Sequence, residues 1–181
     1  MFKKILGGIL VFLGAFCVYV ELQPADFKIT RSATFVASPE VIFPQVNDLH
    51  SWQTWSPWAK MDPNSQVSYS GPQAGNGASF SWSGNDEVGQ GRMTIIESNP
   101  NQLVRYRLEF TKPFTATNTA EFRLLPNGDR TKVTWSMSGT NGFLFKAAGV
   151  FMNCDKMVGD QYEKGFANLK PIVETKPTAL E

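Results

Sequence analysis

Asn141–Lys170, N-G-F-L-F-K-A-A-G-V-F-M-N-C-D-K-M-V-G-D-Q-Y-E-K-G-F-A-N-L-K, is the stretch around which the rest of the chain organises. At a period of 3.6, Phe143, Ala147, Val150, Phe151, Cys154, Met157, Val158, Tyr162, Phe166 and Leu169 fall on one broad stripe. Lys146, Asn153, Lys156, Asp160, Glu163, Lys164 and Lys170 lie largely off it. The pattern predicts one amphipathic helix, at about 1.5 Å per residue long enough to lie across a small sheet. Cys154 then reads as a small core residue.

Working outward, Phe27 to Gly139 reads as strands and short turns, and the apolar face of such a sheet needs a cover that the helix can supply. In the first strand, Phe27, Ile29, Ala33 and Phe35 share a face with Arg31. That arginine reads as a guanidinium that leaves at the sheet edge or pairs with an acid such as Asp155, or else as a polar anchor for a ligand. Ser38-Pro39-Glu40 opens a short helix, with Ser38 as cap and Pro39 where its missing N–H costs nothing. Asn47-Asp48 begins a second, Leu49 to Trp55, which Ser56-Pro57 stops. These pieces bring Trp52, Trp55 and Trp58 close together.

Strands follow at regular spacing. Ala78, Phe80 and Trp82 alternate with serines; Gly91, Met93 and Ile95 with Arg92, Thr94 and Ile96; Val104, Tyr106, Leu108 and Phe110 with Leu103, Arg105, Arg107 and Glu109. Ala116, Asn118, Ala120, Phe122 and Leu124 share a face, and Pro126-Asn127-Gly128-Asp129 turns the chain into a strand whose apolar side is Val133, Trp135 and Met137. Successive strands with tight turns imply an antiparallel sheet, and helices segregated at the ends imply an α+β fold.

The N-terminus is separate in character. Lys3 and Lys4 precede an uncharged run, Ile5 to Val20, that ends at Glu21, Gln23 and Pro24. A spanning helix needs about 20 apolar residues and tolerates about 17, so the run is marginal for an anchor and long for a signal core. No Ala-x-Ala follows it, and bulky Phe16 precedes Cys17. An uncleaved single-pass anchor is therefore expected, with a cleaved signal peptide as the alternative. Residues 1–22 form this segment, 23–26 a linker, 27–170 the domain and 171–181 a flexible tail. Contact with the membrane runs through residues 5–20. The lysines on one flank, against Glu21 and Asp26 on the other, put the N-terminus in the cytoplasm and the domain on the extracytoplasmic side, periplasmic in a bacterium. The chain has 17 Lys and Arg against 16 Asp and Glu; without Lys3, Lys4 and Glu21 each count is 15. A neutral domain disfavours nucleic acid as a partner.

The order of elements, and particular words along it, resemble the START/polyketide-cyclase-like (SRPBCC) superfamily with its helix-grip fold. The matching words are Thr34-Phe35-Val36-Ala37-Ser38-Pro39-Glu40-Val41-Ile42-Phe43, Val46-Asn47-Asp48, Trp52-x-x-Trp55-Ser56-Pro57-Trp58, Gly77-Ala78-Ser79-Phe80-Ser81-Trp82, Gly91-Arg92-Met93-Thr94-Ile95 and Thr131-Lys132-Val133-Thr134-Trp135, together with the C-terminal helix. The resemblance covers about Phe27 to Lys170. It implies a curved antiparallel sheet of six to seven strands around a long C-terminal helix, two short helices after the first strand, and a cavity between sheet and helix.

With the inner faces assigned above, the cavity lining draws on Phe80, Trp82, Met93, Tyr106, Leu108, Phe110, Phe122, Trp135 and Met137 from the sheet, and on Phe151, Val158 and Tyr162 from the helix. Asn118 interrupts its apolar face as a candidate orienting group. Such a surface suits a sterol, fatty acid, quinone or polycyclic aromatic; the alternative is that the same rings are packed core. No catalytic signature is present. The single histidine, His50, sits beside Leu49 and Trp52 as a surface residue, Gly89-x-Gly91 has no helix after it, and no His/Cys metal spacing or cofactor motif occurs. A membrane-tethered binding or transfer domain for a hydrophobic small molecule is the leading expectation. A polyketide cyclase or dehydratase, and a ligand-free interaction module, are the alternatives.

Overall fold

The computed structural model describes residues 2–174, with side chains from Lys4 onward. Seven strands form one antiparallel sheet: β1 (Asp26–Phe35), β2 (Gln66–Ser70), β3 (Ser79–Ser83), β4 (Gln90–Asn99), β5 (Leu103–Lys112), β6 (Ala116–Asn127) and β7 (Arg130–Thr140). Their order across the sheet is β1-β7-β6-β5-β4-β3-β2. From β2 onward the chain is a meander of hairpins, and β1 closes it by pairing with β7. The fold is the α+β helix-grip arrangement that the alternation and the C-terminal stripe predict.

Because β1 and β2 lie at opposite edges, the chain between them must cross one end of the sheet. Three short helices make that crossing: α2 (Pro39–Asn47), α3 (Leu49–Trp55) and α4 (Pro57–Met61). Ser38 occupies the first N-cap position without making a side-chain capping bond. Asp48 does cap α3, its carboxylate accepting from the His50 amide at 2.8 Å. Ser56-Pro57 both ends α3 and starts α4, since proline at the first helical position is already set for helix. The expectation of two short helices thus becomes three.

The C-terminal stripe is two helices rather than one. The first, α5 (Phe143–Phe151), ends where Met152 turns extended, and the second, α6 (Cys154–Val173), starts afresh with the Asn153 side chain accepting from the Lys156 amide at 2.9 Å. The break changes the phase of the stripe. Tyr162, Phe166, Leu169 and Val173 are buried against the sheet, whereas Phe143, Val150, Phe151, Cys154 and Met157 are exposed. Cys154 is therefore a surface thiol and not the core residue expected of it. Residues 171–173, assigned to the tail, continue α6, and the Val36 amide donates to the Glu174 carboxylate at 2.8 Å. The remainder of that tail, 175–181, lies outside the described residues.

Two glycines let α6 sit close. A Cβ on Gly165 would stand 2.8 Å from the Trp135 ring, and one on Gly159 would strike the Arg31 guanidinium. Arg31 lies in that notch and pairs with Asp155 at 2.9 Å and Glu163 at 3.4 Å, so it fastens the start of α6 to β1. The salt bridge holds the Asp155 carboxyl below its usual range, chiefly through the hydrogen bond from Arg31.

At the other end of the chain, α1 (Phe2–Glu21) contains an 18-residue stretch, Lys4–Glu21, long and apolar enough to cross a membrane by length and composition; a signal sequence has the same character. Its C-terminal turn touches α5. The Phe16 and Phe151 rings are 6.0 Å apart, and Lys146 donates to the Glu21 carbonyl at 2.7 Å.

Candidate functional site

The inner face of the sheet divides into a filled half and a hollow half. In the filled half, α3 drops Trp52 and Trp55 onto β5, β6 and β7. Trp52 meets Trp55 at 4.6 Å, Trp135 at 5.2 Å and Phe122 at 5.7 Å between ring centres, mostly edge to face, the arrangement ring quadrupoles favour. Ile42, Val46 and Leu49 complete the packing. Two of its polar atoms bond to the backbone: the Trp55 indole donates to the Gln45 carbonyl at 3.0 Å, and the Tyr106 hydroxyl to the Val46 carbonyl.

Beyond Trp52 the space opens into a cavity of about 370 Å³ between the sheet and α6. The alternation of each strand aims the lining. Phe80 and Trp82 come from β3, Met93 from β4, Tyr106, Leu108 and Phe110 from β5, Trp135 and Met137 from β7, and Val158 and Tyr162, one helical turn apart, from α6. Trp82 lies flat on β4 because Gly91 has no side chain; a Cβ there would stand 2.6 Å from the ring. The Trp82 indole donates to the Val88 carbonyl at 3.0 Å. Asp62, Pro63, Ser65, Glu87 and Val88 border the cavity where α4 runs toward β2 and β3 turns into β4. Asp62 is engaged there, accepting from the Asn64 amide at 3.0 Å and the Asn85 amide at 2.7 Å.

Ten of the thirteen residues expected at the site lie on this lining, and three do not. Phe122 is wholly buried in the filled half, 4.6 Å from Trp135, because Trp52 covers it. Asn118 turns to its neighbours, its amide 3.9 Å from the Met137 sulfur, and leaves no room for a Cβ on Gly139. Phe151 is 79% exposed on α5, removed from the cavity by the break at Asn153. Residues left out of the expected lining also border the space: Trp52, Trp58 and Ala59 from the short helices, Val67 from β2, and Ala120 from β6, which the alternation had placed on the right face. The Trp52-x-x-Trp55-Ser56-Pro57-Trp58 cluster was the available signal for two of them. Among the described residues no group of three or more His, Cys, Asp or Glu is placed to hold a metal ion. His50 stacks on Tyr69 at 3.8 Å, away from this cavity's lining.

What the arrangement can do chemically is enclose an apolar molecule. Burial raises the pKa of the Tyr162 and Tyr106 phenols, so both are neutral hydrogen-bonding groups at ordinary pH. Among the described residues that line the cavity, the charged ones are the acidic Asp62 and Glu87.

Comparisons with known proteins agree with this architecture. A protein of Chromobacterium violaceum superposes with a TM-score of 0.61 at 13% identity, covering 82% of this chain and 98% of its own. The Aha1 dimer from Colwellia psychrerythraea gives 0.60 at 16% identity, covering 82% and 97%. CalU16 from Micromonospora echinospora gives 0.57 at 15% identity, covering 84% and 77%. At such identities the likeness is one of fold. A sequence comparison with curated proteins found no match. The family model described as polyketide cyclase / dehydrase and lipid transport matches residues 26–174, from the first strand to the end of the last helix. The chain belongs to that family, a branch of the SRPBCC superfamily.

Proposed function

We propose that the chain binds one hydrophobic small molecule between sheet and α6 and holds it, for storage or transfer, beside a membrane. The observation that carries this reading is the hollow half itself: about 370 Å³ of space walled by aromatic, Met, Leu and Val side chains. Ligand pockets run from roughly 300 to 1,000 Å³ and are mostly apolar with a few polar groups. The volume is at the small end of that range, which favours a compact ring system or single short chain over a two-chain lipid. Family membership supports a hydrophobic ligand in general terms.

Two features support the membrane part. The stretch Lys4–Glu21 has the length and hydropathy of a span. Next to its C-terminal turn, α5 presents Leu144 at 67% and Phe151 at 79% exposure and buries none of its own residues. Apolar surface thus continues from α1 onto the domain, at the level where an interfacial helix would lie. In this reading the N-terminus is cytoplasmic and the domain extracytoplasmic.

The test is native mass spectrometry of the full chain in detergent micelles, as purified and after delipidation. A bound apolar molecule, or uptake of one from a panel of lipids, quinones and polycyclic aromatics, is expected. A chain that is empty as isolated and takes up none of the panel would overturn the reading.

A further inference from the structure

The indole and phenol donors at and beside the cavity fall into two groups. Trp55, Trp82 and Tyr106 have spent their donors on backbone carbonyls. Trp52, Trp135 and Tyr162, which are 6%, 2% and 2% exposed, have no hydrogen-bond partner for theirs among the described residues, and neither has the half-buried Trp58. Nor are these atoms sealed in protein, since no buried side-chain nitrogen or oxygen among the described residues is left without a partner. All three residues line the cavity, and their donor atoms are not fully enclosed by protein. They also stand together: Tyr162 stacks on Trp135 at 3.9 Å, and Trp52 is 5.2 Å from Trp135.

Two indole N–H groups can only donate, and a neutral phenol donates readily. A cluster of buried free donors calls for an acceptor, because an unpaired donor facing an apolar ligand costs more than one facing water. An acceptor of this size is either anionic, such as a carboxylate, or neutral, such as a carbonyl oxygen. The lining contains no Lys, Arg or His to offset an anion, and its charged members are the acidic Asp62 and Glu87. An anion entering here would lose its hydration with no cation to meet it.

We infer that Trp52, Trp135 and Tyr162 form a donor pocket for the carbonyl oxygen of a neutral, otherwise apolar ligand, a ketone, quinone or ester and not a free fatty acid. This deepens the reading of the cavity as a ligand site and rests on it. It also divides the classes of ligand that an apolar wall alone would accept, since hydrocarbons, fatty acids and carbonyl compounds of equal size bury similar area.

Three probes of one shape test it: 2-acetylnaphthalene, 2-ethylnaphthalene and 2-naphthoate, each titrated calorimetrically into the full chain in detergent micelles, with matched titrations into micelles alone. The ketone is expected to bind about tenfold tighter than the hydrocarbon, and the carboxylate more weakly than the ketone. Tyr162→Phe, which keeps the stacked ring, should narrow the ketone-to-hydrocarbon gap severalfold and leave the hydrocarbon unchanged. In nitrogen-15 spectra the ketone should move the indole N–H signals of Trp52 and Trp135 downfield and leave those of Trp55 and Trp82 in place. Equal affinity for ketone and hydrocarbon, or a preference for the carboxylate, would overturn the donor pocket while leaving the carrier reading intact. Failure of all three to bind would overturn both.

Discussion

The two halves of the inner sheet face are built from the same kinds of residue and end up differently. Val104, Phe122, Leu124 and Val133 are closed over by Trp52, Trp55 and the apolar side of α2. Leu108, Phe110 and Met137, farther along the same strand faces, meet no such cover and stay half-buried around open space. Strand alternation cannot distinguish the two, because it reports the face and not the distance to whatever lies opposite. What decides is where the crossing helices land. The filled half supplies the stability that lets the other remain hollow, since an unfilled lining forfeits dispersion contacts.

The contrast can be broken most severely at Trp55, which is fully buried and tied by its indole to Gln45. Trp55→Ala is expected to cost about 3–5 kcal/mol, read as a lower denaturant midpoint in chemical unfolding. In the hollow half, Leu108→Trp should fill space instead of opening it. It is expected to weaken apolar-ligand binding at least tenfold, by calorimetry, and to change stability by less than about 1 kcal/mol. A comparable stability loss at both positions would mean the halves are packed alike. On α5, paired Leu144→Asp and Phe151→Asp substitutions should leave the unfolding midpoint unchanged, because both side chains are exposed. A fluorophore at position 147 should then lose its quenching by shallow doxyl lipids, while alkaline carbonate still fails to extract the chain.

The smallest effect expected is at the Arg31 notch. The Asp155 pKa is lowered in the folded state, so its pairing stabilises above the unfolded-state carboxyl pKa and is lost as pH falls through the folded one. Asp155→Asn should therefore lower the thermal midpoint slightly at pH 7, less in high salt, and hardly at all at pH 2.

Most of the architecture was legible in the sequence because period-2 alternation and turn residues such as Gly128 are local signals; Asn127 and Arg130 pair around that turn as the motif predicts. The single long helix was not, since the apolar stripe continues across a break that only the capping residue Asn153, with Asp155 in the first turn after it, announces. The site was partly legible for the same reason. Met93, Leu108 and Met137 follow from the strand faces, whereas the free donor of Trp52 and the burial of Phe122 depend on how α3 docks, a contact between residues seventy positions apart. Asn118 looked like an orienting group because a polar residue interrupted an apolar face, but its neighbours in the register, Leu108 and Gly139, leave it facing Met137.

The most direct measurement is methyl-resolved NMR of the full chain in micelles during addition of an apolar ligand such as 2-acetylnaphthalene. Binding in the hollow half predicts saturable shifts at Met93, Leu108, Met137 and Val158, with Val46, Leu49 and Val104 still. Shifts confined to the exposed methyls of α1 and α5, or no saturable shift at all, would contradict it.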